Sequence, residues 1–190
     1  MSDKKDKTRE HILQVSYPLF AEKGFKQITM KDICQVSGMS RGGLYSHFSS
    51  TAQIFEEILK QITSSKTLDF QSQINNGVSA TDILKKAFKL LEKEMLSPSD
   101  SLSLAIFEYS QTVDSALIQK LNKEAEEKWS SLFKYGIKKG EFLAEADIQA
   151  LVNTLLYTYQ GIRLWQRITP LKSKSVKSIL RNIKVRETIN

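Results

Sequence analysis

The stretch Thr29–Phe48, TMKDICQVSGMSRGGLYSHF, constrains this chain more than any other, because it reads as two short helices joined by one glycine turn. Thr29 with Asp32 three positions on is a reciprocal N-cap pattern, and Ile33 and Val36 give the first helix an inward face. Cys34 and Ser37 are small, so a second helix can cross closely. Gly38 suits the left-handed position at which the first helix must stop, and Met39 is expected to plug the turn. Ser40 then caps a second helix over Arg41–His47, with Leu44 and Phe48 inward and Arg41, Gly43, Tyr45, Ser46 and His47 outward.

Each glycine inside a helical turn costs roughly 1 kcal/mol relative to alanine, so Gly42 and Gly43 imply a reason beyond local stability. Close backbone approach to a partner is the natural one. A positive helix N-terminus with an arginine, hydroxyls and a histidine, and glycine where bulk would hold it off, suits a DNA major groove. Around it stand Arg9, Ile12, Leu13, Leu19, Phe20, Gly24, Phe25, Thr29, Met30, Ile33, Gly38, Ser40, Gly42, Leu44, Tyr45, His47, Phe48 and Ser50. At these residues the chain resembles the TetR family of bacterial transcriptional regulators. The resemblance implies that Tyr45 and His47 contact phosphate or groove, that Thr29 and Lys31 meet the backbone, and that Arg41, Gly42 and Gly43 approach bases. Ser40, Ser46 and Thr51 complete the expected DNA-facing set. Arg41 is the one side chain here that could read guanine with two hydrogen bonds. Thr51 departs from the family pattern, which usually has lysine there, and so implies weaker or more salt-sensitive binding.

The formal charge of +7 adds little to that reading. Residues 1–60 hold nine Lys/Arg against seven Asp/Glu, whereas residues 163–190 hold eight against one. The excess sits in the tail, on what reads as the solvated face of an amphipathic helix. The single cysteine, Cys34, excludes an internal disulfide and reads as packing. The apolar runs are too short for a membrane helix, and the charged start MSDKKDKTREH lacks the apolar core of a signal peptide, so a cytoplasmic protein is expected.

Helical spacing fills the chain and no alternating strand pattern occurs. A first helix is expected over about Lys7–Lys23, kinked at Pro18 and ended by Gly24. A long fourth helix, capped by Ser50 and Gln53, is expected to run past Leu68 toward Ile74. Ser79 with Asp82 caps the next, and Pro98 breaks the chain before an apolar helix over Leu102–Tyr109. A charged helix follows from about Asp114 to Lys139, then one capped by Asp147 and one opening near Ser173. The expected fold is all-α with about nine helices. A three-helix helix-turn-helix domain at residues 1–48 joins, through the fourth helix over about 50–75, a helical body at 49–190 that the resemblance implies binds ligand and dimerises.

One reading unit touches few base pairs, so specificity needs two copies on a pseudo-palindromic double-stranded DNA operator. A homodimer is therefore expected, with Leu151, Leu155, Tyr159, Ile162, Val176, Ile179 and Ile183 as the candidate interface. Phe88, Phe107, Glu108, Trp129, Phe133 and Tyr157 are the candidate lining of a site for a small hydrophobic inducer. That inducer would be cationic if Glu108 is buried without another partner. The histidines His11 and His47 lie in no nucleophile or metal-ligand pattern, so neither enzymatic activity, metal nor cofactor is expected. The competing reading is a helical small-molecule-binding or interaction protein with a vestigial DNA-binding bundle.

Overall fold

Apolar residues recurring three and four apart become buried helical stripes in the computed structural model, which describes residues 2–64, 69–97, 100–112, 116–145 and 147–183. Those residues form ten helices and no strand: α1 (Ser2–Lys23), α2 (Met30–Ser37), α3 (Arg41–Tyr45), α4 (Thr51–Ser64), α5 (Phe70–Asn75), α6 (Ala80–Met95), α7 (Ser103–Ser110), α8 (Ala116–Lys138), α9 (Ile148–Trp165) and α10 (Ser173–Arg181). Among them no helix is long and apolar enough to cross a membrane. The expected features at Leu68, Pro98 and Asp114 lie outside the described residues.

Contacts divide the chain into one unit drawn from Met1–Ser64 and Ser99–Gln119 and another drawn from Ser65–Pro98 and Lys120–Asn190. The expected boundary at residue 48 is not where they divide, because α4 and α7 group with α1–α3.

In the first unit α1 buries Ile12, Leu13, Ser16, Phe20 and Ala21, and Leu19 is half-buried at the edge of that stripe. The helix runs through Pro18 without interruption. Phe20, Phe25, Phe55 and Tyr109 form an aromatic cluster with ring centroids 4.9–6.1 Å apart, a spacing at which edge and offset contacts are favourable. Arg9 ties this unit together: its guanidinium stacks on Phe48, 4.1 Å from the ring centroid, and donates to the His47 carbonyl and the Glu57 carboxylate.

The single fourth helix expected over about 50–75 is two helices among the described residues. Asp69, at φ −81° and ψ 79°, leaves helical geometry, and its carboxylate accepts the Ser72 amide to start α5 afresh. A local acceptor competing for the backbone is the physical reason.

The core of the second unit is Ile83, Leu84, Ala87, Leu91 and Met95 of α6, Trp129, Leu132 and Phe133 of α8, Val152, Leu155 and Ile162 of α9, and Val176 and Leu180 of α10. The Glu141 carboxylate accepts the Ala80 and Thr81 amides at the start of α6, at 3.1 and 2.9 Å. Phe142 lies on Gly136 so closely that a Cβ there would stand 2.1 Å from its ring. Buried Gln166 donates to the Met95 carbonyl and accepts the Leu171 amide. This core takes up residues expected at the interface. Leu155, Ile162, Val176 and Ile183 are buried within the chain, and Leu151, Tyr159 and Ile179 pack against them, because one helical body of this size needs those side chains for itself.

Candidate nucleic-acid interface

Local capping chemistry builds the helix pair. Thr29 stands in extended backbone before α2, and its hydroxyl oxygen accepts the Asp32 amide while its own amide donates to Asp32 at 2.9 Å. The Thr29 hydroxyl and amide, both donating to Asp32, hold that carboxyl below its ordinary range. Gly38, at φ 67° and ψ 16°, ends α2 in the left-handed region, where a side chain would be strained. Ser40 then caps α3 by accepting the Gly43 amide at 3.1 Å.

The second helix is shorter than expected. Its helical residues stop at Tyr45, and exposed Ser46 folds its hydroxyl back onto the helix, donating to the Gly43 carbonyl at 2.7 Å. Leu44 and Phe48 are buried as the spacing requires. Val36, expected inward on α2, is exposed.

Four of the expected DNA-facing residues meet at one place. Thr29, Lys31, Arg41 and Tyr45, with Met30 and Cys34, line a surface concavity of about 410 Å³. Tyr45 is 44% exposed, and the Arg41 guanidinium lies 5.6 Å from its ring centroid, within cation–π range. Lys31 and Arg41 thus supply two cations, and Tyr45 a hydroxyl, at one accessible face, while the Thr29 hydroxyl there is engaged with Asp32. The positions of Met30 and Cys34 beside Lys31, one turn apart on α2, were the signal that could have added them to the set.

The remaining expected residues sit differently. Ser40 and Ser46 have their hydroxyls engaged in capping. His47 is half-buried, with Nδ1 shielded and without a hydrogen-bond partner among the described residues. Thr51 is half-buried at the first position of α4. Gly42 is exposed, and a Cβ there would meet nothing within 4 Å; one at Gly43 would meet Ser40 Oγ at 3.2 Å and Met39 Cε at 3.5 Å. The chain itself therefore does not require glycine at 42.

The candidate ligand residues do not form one site. Phe107 is exposed and Glu108 belongs to the first unit, where its carboxylate accepts the Lys26 amide at 2.9 Å. With that bond made, no cationic ligand is needed to explain Glu108. Trp129 and Phe133 are core residues, Trp129 meeting Phe70, Phe88 and Phe133 at centroid distances of 4.9, 6.4 and 6.1 Å. Tyr157 is 72% exposed.

A stripe of α9 opposite its buried side is also uncovered. Ala150, Thr154, Tyr157, Gly161 and Trp165 recur at helical spacing and are all exposed, Trp165 at 61%, and Ile168 just beyond at 69%.

Residues 12–58 match the family model described as bacterial regulatory proteins, tetR family. Over 165 residues the chain is 32% identical to an HTH-type transcriptional regulator, YfiR, of Bacillus subtilis (strain 168), a match covering 83% of this chain and 79% of that one. It is 27% identical over 164 residues to the HTH-type transcriptional repressor KstR2 of Rhodococcus jostii (strain RHA1), covering 84% and 79%. A TetR family transcriptional regulator from Agrobacterium tumefaciens shares the fold with a TM-score of 0.78 at 15% identity, over 94% of this chain and 96% of that one.

Proposed function

The chain belongs to the tetR family of bacterial regulatory proteins and is a DNA-binding transcriptional regulator, and from that premise we propose that it acts as a homodimeric repressor in the cytoplasm. Each subunit lays α3 in the major groove of one half of a pseudo-palindromic operator. Lys31, Tyr45 and the outer edge of His47 hold phosphates and set the register, Thr29 fixes the start of α2 beside them, and Arg41 reads base edges. The observation that carries this reading is the shared concavity of Thr29, Lys31, Arg41 and Tyr45 beside an open Gly42. Short α3 needs its backbone close to the bases, and glycine permits that approach.

Two copies join through the uncovered stripe of α9, where Tyr157, Trp165 and Ile168 offer the large apolar area that a subunit interface needs. The repressor sign is supported by the relative KstR2, which is a transcriptional repressor. A small hydrophobic effector taken up by the second unit relieves repression by binding better to a dimer whose α3 helices are wrongly spaced for the operator. Footprinting of DNA upstream of the protein's own gene tests the reading. A protected two-fold symmetric site, with retention on DNA that falls steeply with salt, is the expected result. Absence of protection on every fragment tried would overturn it.

A further inference from the structure

Arg163 in the second unit has one donor, Nε, that no described residue accepts. The residue lies in the last turns of α9 and is half-buried, with its Nε shielded from solvent and without a hydrogen-bond partner among the described residues. One terminal nitrogen donates to the Tyr159 hydroxyl one turn earlier, at 2.5 Å, and the guanidinium carbon lies 4.8 Å from the Tyr159 ring centroid. The Tyr159 hydroxyl gives its own hydrogen to the Glu94 carboxylate of α6. Tyr159 is thereby fixed as an acceptor toward Arg163, and Glu94 reaches the arginine through a neutral hydroxyl.

A guanidinium is a planar fork of donors suited to carboxylate and phosphate oxygens. A shielded donor left unsatisfied is costly, and a charged group withdrawn from water is costlier still. Glu94 and Tyr159 hold one terminal nitrogen in place, Nε is shielded, and the half-buried guanidinium can meet an oxyanion only with its accessible terminal part. Glu108, whose carboxylate would have suited a cation, is already engaged by the Lys26 amide.

We propose that Arg163 anchors the oxyanion headgroup, a carboxylate or a phosphate, of an otherwise apolar effector. This rests on the reading that the second unit takes up a hydrophobic effector, and it assigns that effector a negative charge. Tyr159 and Glu94 act as positioning residues behind the arginine.

The test is titration of the intact protein, followed by calorimetry and tryptophan fluorescence, with dodecanoate, dodecyl phosphate, dodecanol and dodecyltrimethylammonium below their micellar concentrations. The wild type binds one of the two anions at least about tenfold more tightly than dodecanol, as one charge-assisted pair implies, and binds the cation more weakly than dodecanol. Whether dodecanoate or dodecyl phosphate is favoured identifies the headgroup. Arg163→Met erases the anionic preference and leaves dodecanol affinity unchanged, and Tyr159→Phe, which keeps the charge but loses the hydroxyl that positions it, weakens the preference without erasing it. Should Arg163→Met fail to melt cooperatively, the wild-type ranking of the four probes decides. Equal affinity for anions and dodecanol, or a preference surviving in a folded Arg163→Met, overturns the anchor and leaves the hydrophobic-effector reading standing. No binding of any of the four overturns both.

Discussion

Glu108 lies against Gly24 so closely that a Cβ at that glycine would stand 2.4 Å from Oε2, and the same oxygen accepts the Lys26 amide at 2.9 Å. Gly24 ends α1 at φ +82°, so the turn into α2 depends both on a left-handed residue and on a carboxylate from α7. Gly24→Ala must strain the backbone and displace Glu108. The expected cost is roughly 2–4 kcal/mol in urea unfolding, from about 1–2 for the left-handed backbone and the rest from the lost charge-assisted bond. In a Glu108→Ala background the same substitution should cost only the backbone part, and the double-mutant cycle measures the difference.

Tyr109, beside Glu108 on α7, is buried and donates to Glu56 of α4 at 2.6 Å. Burial, then the bond to the Glu56 carboxylate and its charge, push the phenol well above its ordinary 10.0. A pKa raised in the folded state favours the protonated form. Its stabilising contribution is therefore complete below pH 10 and is lost as pH rises from there toward the folded value. Unfolding free energy should fall above pH 10 more steeply in the wild type than in Tyr109→Phe. At pH 7 that variant should lose about 1 kcal/mol, the net worth of one hydrogen bond.

Trp165 and Val176 should separate association from folding. Trp165→Glu charges the exposed stripe of α9, so the sedimenting mass should halve with little change in helicity, and operator affinity should fall at least about thirtyfold, the loss of one interface hot spot. Val176→Asp places a charge in the buried core and should lower the melting temperature instead. A Trp165→Glu protein that keeps its dimeric mass would assign the interface elsewhere.

Arg41 and Lys31 line one concavity but should fail differently when removed. Arg41→Ala is expected to lose about 1–3 kcal/mol on the preferred operator and to relax preference at one base position. Lys31→Ala should weaken binding evenly across operator variants and reduce the salt slope by about one. Anisotropy titrations over a panel of single-base operator variants and salt concentrations distinguish the two. Equal losses across the panel for Arg41→Ala would remove its base-reading role.

What the sequence made legible is local. The caps at Thr29, Ser40, Ser79 and Asp147 each accept the amide three positions on, because a cap is decided within one turn of chain. The buried stripes of α1, α6 and α10 were legible for a similar reason, one apolar face being available to each. On α9 two faces are apolar, Val152, Leu155 and Ile162 on one and Tyr157 and Trp165 on the other. Spacing cannot rank them, and of the residues expected at the interface the chain buries Leu155, Ile162, Val176 and Ile183 within itself. Glu108 was illegible because its partner is a backbone amide far away in sequence. At the candidate site, the identity of the outward residues followed from helical spacing. The early end of α3 and the folding back of the Ser46 hydroxyl did not, since both depend on a hydroxyl bonding the backbone.

The most direct test measures operator affinity and melting temperature together for the wild type and Gly42→Leu. A side chain at 42 points into open space in the free protein, and leucine is the better helix former, so the variant should melt no lower than the wild type. On DNA that side chain would hold α3 away from the bases, and the specific complex should weaken by at least about a hundredfold. A Gly42→Leu protein that melts normally and binds the operator as tightly as the wild type would contradict the placement of α3 in the groove.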